Sequence, residues 1–307
     1  MGRLSRVLAA FMLMSGVVLA QDLPQHAIRT AAPMSPSAAM FIPGESVEPL
    51  ILAEWEVIND LGPRIRIVWG QEAVDAAPPE ASRYIQKSYV FPTGTIRVLD
   101  FQKDEGGMMH AITVETAIYM LKGSGTVEVA GKTVTLNEGD LASYPSGTLR
   151  GDGDSTVIAW TVTGSKINEV AEAMVVRGID VPVTHSAQWP GPDGKMVRAR
   201  TSEALWEAPG DAIRLDLKRY MFDGNSVRTT INYKGGPTSK VTSSMDALIY
   251  ITSGKLHFFQ DDLNFVAGAG DAIREISGHY HNWIRLEDSS FIATSSLPVA
   301  PMMEGAN

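Results

Sequence analysis

The sequence predicts an all-β protein with two similar halves, and an internal repeat is the main observation behind that prediction. The stretch 110–150 resembles the stretch 241–281 at a constant offset of 131 residues. The matches pair Ile118-Tyr119 with Ile249-Tyr250, Gly139-Asp140 with Gly270-Asp271, and Gly147 with Gly278. Turn residues that recur at one offset indicate a repeated domain, and the period is that of a small domain.

Each copy also carries the pattern of a β-hairpin. Polar and apolar residues alternate over 126–129 and over 133–136, and Ala130-Gly131-Lys132 lies between the two runs. Alternation on both sides of a short turn is typical of half-buried antiparallel strands. The second copy has Phe258 and Phe265 where the first has Val127 and Val134, so the same face stays apolar in both.

These residues resemble the cupin superfamily. Gly139, Pro145 and Gly147 have the spacing of the family's second motif, and Gly270, Gly278 and His281 repeat that spacing without the proline. The resemblance covers roughly residues 95–165 and 212–297. It implies two cupin-like jelly-roll barrels in one chain, joined by a linker with one short helix.

The first copy departs from the metal-binding pattern of that family. His110 stands at a motif histidine, but Ile112 replaces the second one and Arg150 stands at the histidine position of the second motif. If the motifs face each other across a barrel, His110 and Glu115 form an acid–base pair and Arg150 holds an anionic group. The alternative is a structural histidine beside an internal Glu115–Arg150 ion pair. Tyr119 and Tyr144 are further ligand-binding candidates, although both also suit a core.

The second copy keeps only His281 of the family's ligand set. His279 lies two residues earlier, so a strand would point both side chains the same way. Asp246, Glu275 or His257 could complete a metal site with this pair. Arg285 and Tyr250 are candidate ligand-binding residues, since a nearby arginine favours an anion over a cation. We therefore expect either no cofactor or one divalent transition metal.

The N-terminus of the chain predicts export. Residues 1–6 are basic, 7–20 are apolar, and small residues precede Gln21, which is typical of a secretory signal peptide.

The segment between the barrels has the pattern of a helix. Helical spacing from Ser165 to Gly178 predicts one amphipathic helix there. The predicted boundaries are a signal peptide 1–20, an N-terminal extension 21–61, barrel 1 62–164, a linker helix and loop 165–193, barrel 2 194–300 and a tail 301–307.

The amino-acid composition limits the classes of partner and of chemistry that the protein can have. A formal net charge of −9 argues against nucleic acid, and the absence of cysteine excludes disulfides and thiolate chemistry. We expect a secreted or periplasmic protein with a small-molecule ligand and no membrane segment after signal cleavage. A homodimer is expected only by analogy with cupins.

Three functions remain open at the level of the sequence. The first is binding of a small polar or anionic molecule, with metal-independent acid–base catalysis of the isomerase or lyase type. The second is a metal-dependent cupin enzyme, of the dioxygenase or decarboxylase type, with an irregular ligand set. The third is a non-catalytic partner protein. Fold alone does not choose among them.

Overall fold

A computed structural model shows two β-barrels in one chain, which confirms the all-β jelly-roll architecture expected from the sequence. Residues described by the structure are 40–59, 62–102, 107–111, 116–129, 132–144, 147–162, 174–200, 205, 207–210, 212–222, 225–232, 235–237, 241–242, 247–260, 262–276 and 279–295. The predicted signal peptide 1–20, the segment 21–39 and the predicted tail 301–307 lie outside them.

Barrel 1 consists of an eight-stranded and a four-stranded antiparallel sheet. The large sheet has the order β13-β10-β7-β12-β5-β4-β2-β3, with β2 Leu50–Asn59, β3 Gly62–Trp69, β4 Ser82–Phe91, β5 Gly94–Phe101, β7 Thr116–Lys122, β10 Leu141–Tyr144, β12 Ser155–Val162 and β13 Met174–Val176. The small sheet has the order β6-β11-β8-β9, with β6 Gly107–Ala111, β8 Ser124–Val129, β9 Lys132–Asn137 and β11 Gly147–Gly151.

Barrel 2 repeats this arrangement. Its large sheet has the order β1-β23-β20-β25-β17-β16-β14-β15, with β1 Phe41–Ile42, β14 Val183–Pro190, β15 Met196–Ala199, β16 Ile213–Phe222, β17 Asn225–Asn232, β20 Ala247–Ser253, β23 Ala272–Glu275 and β25 Ser289–Ser295. Its small sheet contains β18 Gly235–Pro237, β19 Val241–Thr242, β21 Lys255–Gln260, β22 Leu263–Gly268 and β24 Tyr280–Arg285.

The repeat unit begins earlier than the sequence suggested. Strand β2 precedes β3 in barrel 1, and β14 precedes β15 in barrel 2, so both barrels start one strand before Gly62 and Gly194. Part of the predicted extension and part of the predicted linker are therefore sheet. Residues 165–173 of the predicted linker helix lie outside the described residues, and Met174–Val176 near its predicted end is a strand paired with β10.

Helical structure in the described residues is short. The α-helix α1 spans Gln71–Asp75 between β3 and β4, and a 3-10 helix spans Gly44–Ser46. None of the helices in this part of the chain is long and apolar enough to cross a membrane.

Each barrel has its own apolar core, and a third core joins the two large sheets. Inside barrel 1 lie residues such as Val127, Leu136 and Leu149, and inside barrel 2 lie Ile249, Phe258 and Phe291. The third cluster, here called the inter-barrel core, contains Tyr89, Phe91, Ile96, Val98, Ala117, Leu141, Ile158, Trp160, Val181, Tyr220, Leu248, Ala272 and Ile292. Each large sheet is thus covered on both faces, by its own small sheet and by the other barrel.

Two short segments cross from one barrel to the other. Strand β1 lies just before barrel 1 in sequence but pairs with β23 of barrel 2. Strand β13, which leads from barrel 1 towards barrel 2, pairs with β10 of barrel 1 and is followed by Gly178, whose N–H donates to Asp140. Strand β1 places Met40 and Phe41 against the core of barrel 2, beside its polar interior residues.

Candidate functional site

A buried histidine–carboxylate pair lies inside barrel 2. Strand β23 ends at Glu275, and strand β24 brings His281 next to it, with 3.2 Å between His281 Nε2 and Glu275 Oε1. The side chains are only 5% and 2% exposed, respectively. Strand alternation explains the placement, because His281, Trp283 and Arg285 are buried while Asn282 and Ile284 are half-buried on the other face.

The second ring nitrogen of His281, Nδ1, has no hydrogen-bond partner in the described part of the chain. This atom is also buried. An ionised carboxylate only accepts hydrogen bonds, so contact with Glu275 places the proton of a neutral imidazole on Nε2. Nδ1 then carries a lone pair, and the ring presents one acceptor to the barrel interior.

Gln260 completes the polar group. It lies directly opposite His281 in the β21–β24 register and is almost fully buried. Its Oε1 accepts the N–H of Ile276 at 3.1 Å, and its Nε2 lies 3.9 Å from the sulfur of Met40. The sequence analysis missed Gln260, although alternation from the inward-facing Phe258 would have placed it inside the barrel.

Three aromatic rings pack against one another beside this polar group. Trp283 contacts Phe258 edge-on at 4.4 Å between ring centroids and stacks on Phe291 at 5.5 Å. Phe258 in turn lies 6.1 Å from the ring of His281. The polar group at Glu275, Gln260 and His281 therefore has aromatic rings on the side of Phe258 and Trp283.

Arg285 lies on the same face as His281 but beyond Trp283. Their positions are four apart along the strand, which is about 13 Å between the two Cα atoms at roughly 3.3 Å per residue. Burial lowers the pKa of Arg285 to about 10. Arg285 therefore does not lie next to His281, and its expected role as a ligand-binding residue stays a prediction.

The predicted pairing of His279 with His281 is also corrected. His279 precedes strand β24 and is exposed, whereas His281 is buried. Asp246, the third expected metal ligand, lies outside the described residues. Among the residues that the structure describes, no group of three His, Cys, Asp or Glu side chains could hold a metal.

In barrel 1, the expected position of Arg150 is wrong. Leu149 is fully buried in barrel 1, and the next residue, Arg150, is exposed. Because neighbouring strand residues point to opposite faces, Arg150 lies on the outside of the small sheet. The backbone of His110 lies opposite Thr148. Glu115 and the side chains of His110 and Tyr144 lie outside the described part of the structure, so their expected grouping stays a prediction.

Barrel 1 buries a different polar pair near its large sheet. The hydroxyl of Tyr84 donates to Oε2 of Glu54 at 3.3 Å, and both side chains are buried. Burial is the main reason why the pKa of Tyr84 is raised, and the charge of Glu54 adds to it. Nothing in the sequence pattern singled out these two residues.

Tyr119 and Tyr250, which the sequence offered as ligand-binding residues, lie between the barrels. Tyr119 contacts Tyr220 edge-on at 5.9 Å, and Tyr250 contacts Tyr89 edge-on at 5.7 Å. Burial raises the pKa of both residues. Their neighbours Ile118 and Ile249 face the barrel interiors. Because neighbouring strand residues point to opposite faces, both tyrosines point away from the barrel interiors.

Comparison with known proteins agrees with this architecture. A family model described as the EutQ-like cupin domain matches residues 92–171. A search of curated proteins found no match. Among solved structures, Streptomyces albus HEPD with 2-hydroxyethylphosphonate and Fe(II) bound has a TM-score of 0.54 at 7% identity, and the match covers 87% of this chain and 78% of that chain.

Two other solved structures are similar over a smaller share of this chain. Protein Ylba from E. coli has a TM-score of 0.44 at 16% identity, covering 69% of this chain and 82% of that one. Pumpkin seed globulin has a TM-score of 0.48 at 11% identity, covering 70% of this chain and 81% of that one. The matched family model supports a cupin domain at residues 92–171. The chain as a whole has the fold of two cupin-like jelly-roll barrels.

Proposed function

We propose that this chain binds a small polar or anionic molecule in barrel 2, at the end where Glu275 and His281 meet. The observation that carries the proposal is Nδ1 of His281, which is buried and has no hydrogen-bond partner among the described residues. A buried polar atom without a partner costs free energy, so such atoms commonly serve a ligand or a reaction.

The pair also suits metal-independent acid–base chemistry. Glu275 fixes the ring of His281 through Nε2 and stabilises the positive charge that appears when Nδ1 takes a proton. A base oriented by a carboxylate can remove a proton from a bound substrate and return it to another atom. Reactions of that kind are isomerisations and eliminations, which require no external oxidant or reductant.

Substitution of His281 by Gln tests the proposal. The Gln amide can still donate to Glu275, so the fold is expected to survive, but Nδ1 is lost. We expect wild-type protein to be protected against thermal unfolding by at least one member of a panel of small sugars, sugar acids and hydroxy acids. We expect His281→Gln to lose that protection by at least about tenfold in affinity.

The matched control is His185→Gln. His185 also pairs with a carboxylate, with 2.6 Å between its Nδ1 and Asp216, but its side chain is 61% exposed. This variant should keep ligand protection unchanged. Protection that survives in His281→Gln would contradict the proposal.

The second candidate function, a metal-dependent cupin enzyme, is favoured by one feature of the same pair. Histidines that bind metals usually donate their other ring nitrogen to a carboxylate, as His281 does to Glu275. Mass spectrometry of the metal content of purified protein separates the two candidates. Stoichiometric transition metal that is lost in His281→Gln would support this second function over the first.

Export belongs to the same proposal. The basic start, the apolar run and the small residues before Gln21 support cleavage after residue 20. We expect the protein from cell envelope or culture fractions to begin at Gln21. An intact Met1 on the protein from those fractions, found by N-terminal sequencing, would contradict cleavage.

A further inference from the structure

The side-chain amide of Gln260 has a fixed orientation. Its partner at 3.1 Å is the backbone N–H of Ile276, which is a donor, so the atom that faces it must be the amide oxygen. The amide nitrogen consequently points the other way, towards the sulfur of Met40. The orientation follows from the chemistry of the contacts and leaves two N–H groups to be satisfied.

Those two N–H groups lack a strong hydrogen-bond acceptor in the described part of the chain. The sulfur of Met40, at 3.9 Å, is a weak acceptor, and it is the one contact of Nε2 in the described part of the chain. Gln260 is only 1% exposed, so water on the protein surface does not replace the missing acceptor. A buried amide donor without a strong acceptor is as costly as the open Nδ1 of His281.

The amide nitrogen of Gln260 and Nδ1 of His281 belong to neighbouring residues. Gln260 and His281 are direct cross-strand partners, which places their Cβ atoms about 4.5–5.5 Å apart. One side chain presents donors, and the other presents an acceptor. A ligand that satisfies both needs an oxygen acceptor beside a hydrogen donor, as in a hydroxyl next to a carbonyl.

The charges at this end of the barrel argue against a carboxylate in that position. Glu275 is buried in contact with His281, and a second carboxylate beside it would meet like-charge repulsion at low dielectric. Arg285, a buried cation of barrel 2, lies on the far side of Trp283.

We propose that Gln260 is a ligand-binding residue and that the ligand is a neutral hydroxycarbonyl compound, with its carbonyl oxygen on Gln260 Nε2 and the adjacent CH–OH group at His281 Nδ1. The inference rests on the proposed function and narrows its ligand class from polar or anionic to neutral. Phe258 and Trp283 supply the apolar floor beneath the carbon chain.

This arrangement also suits proton transfer. His281 Nδ1 takes the proton from the carbon beside the carbonyl, and the electrons of that C–H bond form a carbon–carbon double bond. The carbonyl electron pair moves to its oxygen, where the N–H groups of Gln260 stabilise the negative charge. Return of the proton to the former carbonyl carbon, with proton exchange between the oxygens, converts an aldehyde into a ketone or the reverse. Atoms and electrons balance without a co-reactant.

Two substitutions at Gln260 test the inference. Gln260→Glu keeps an acceptor for Ile276 and removes the donor, whereas Gln260→Leu removes both. Gln86→Leu is the control, because Gln86 donates to Ser88 within barrel 1. The probes are dihydroxyacetone and glycerate, which have three carbons each and differ in charge. Titration calorimetry measures affinity, and NMR in deuterated water measures deuterium uptake by dihydroxyacetone.

We expect wild-type protein and the Gln86→Leu control to bind dihydroxyacetone more tightly than glycerate and to catalyse deuterium uptake. Both Gln260 variants should lose about tenfold in affinity and most of the exchange. Tighter binding of glycerate, or unchanged binding in either folded Gln260 variant, overturns the inference. If that binding still depends on His281, the proposed function stands. If neither probe binds, this inference fails, whereas the proposed function is decided by the thermal-protection panel with His281→Gln.

Discussion

Asp140 stabilises the segment that leads from barrel 1 to barrel 2, because its carboxylate accepts hydrogen bonds from three donors. It accepts the N–H of Asn137 at 3.0 Å, the N–H of Gly178 at 2.8 Å and the guanidinium of Arg177 at 2.6 Å. Burial alone would raise the pKa of this carboxyl, but these donors together hold the pKa below its usual value. Asp271 takes the same role in barrel 2, where it accepts the N–H groups of Gly44 and Gly268.

A substitution of Asp140 by Asn should expose this contribution. An amide cannot accept from all three donors, so we expect a loss of about 1–3 kcal/mol in the free energy of unfolding at neutral pH. A lowered folded-state pKa adds stability above the unfolded pKa, near 3.9, and that stability is lost as the pH falls through the folded value. The difference between wild type and variant should therefore shrink below about pH 4.

Urea unfolding at several pH values measures this difference. The control is Asp154→Asn, which removes an exposed ion pair with Lys122 at 3.1 Å, with side chains that are 65% and 57% exposed. Such pairs contribute little, so this control should stay within about 0.5 kcal/mol of wild type. An Asp140→Asn deficit that stays constant from pH 7 to pH 3 would contradict the assignment.

Among the elements, local patterns predicted strands well and register only in part. The hairpin β8–β9 is confirmed, with Val127 opposite Val134, and Phe258 faces Phe265 in the matching hairpin. Alternation and turn chemistry act over a few residues, so the sequence alone reveals such elements.

The constant offset fails at the site itself. Up to β10 and β23 the two copies differ by 131 residues, but Leu149 opposite Val127 corresponds to Trp283 opposite Phe258, which is an offset of 134. The matched positions of β23 and β24 are therefore three residues further apart in the sequence than those of β10 and β11. His281 therefore corresponds to Gly147 and not to Arg150. A change in loop length has no periodic signal, so the sequence could not show it.

Elements that depend on distant partners were also missed. Strands β1 and β13 are short, and each extends a sheet edge through hydrogen bonds to another part of the chain. Gln260 acquires its role from Ile276 and Met40, which lie 16 and 220 residues away. Tertiary contacts of this kind override local propensity and leave little trace in a single sequence.

For the molecule as a whole, the two barrels hold each other through reciprocal contacts. Tyr89 of barrel 1 donates its hydroxyl to the carbonyl of Gly270 at 2.6 Å, and Tyr220 of barrel 2 donates to the carbonyl of Gly139 at 2.7 Å. Both hydroxyls thus reach the Gly-Asp turn of the opposite barrel. Lys87 and Lys218 add matched bonds to the carbonyls of Gly44 and Gly178.

This reciprocity predicts that the barrels unfold together. Tyr89→Phe and Tyr220→Phe keep the rings in the inter-barrel core and remove the hydroxyls, which also hydrogen-bond Tyr250 and Tyr119, respectively. Each lost hydrogen bond is worth about 0.5–1.5 kcal/mol. Each variant should lower the melting temperature by about 2–4 °C per kcal/mol lost, and the double variant should still melt in one transition. Tyr84→Phe, whose bond to Glu54 stays inside barrel 1, is the matched control. Differential scanning calorimetry that resolves two transitions in the wild type would contradict a shared core, because each barrel would then be stable without the other.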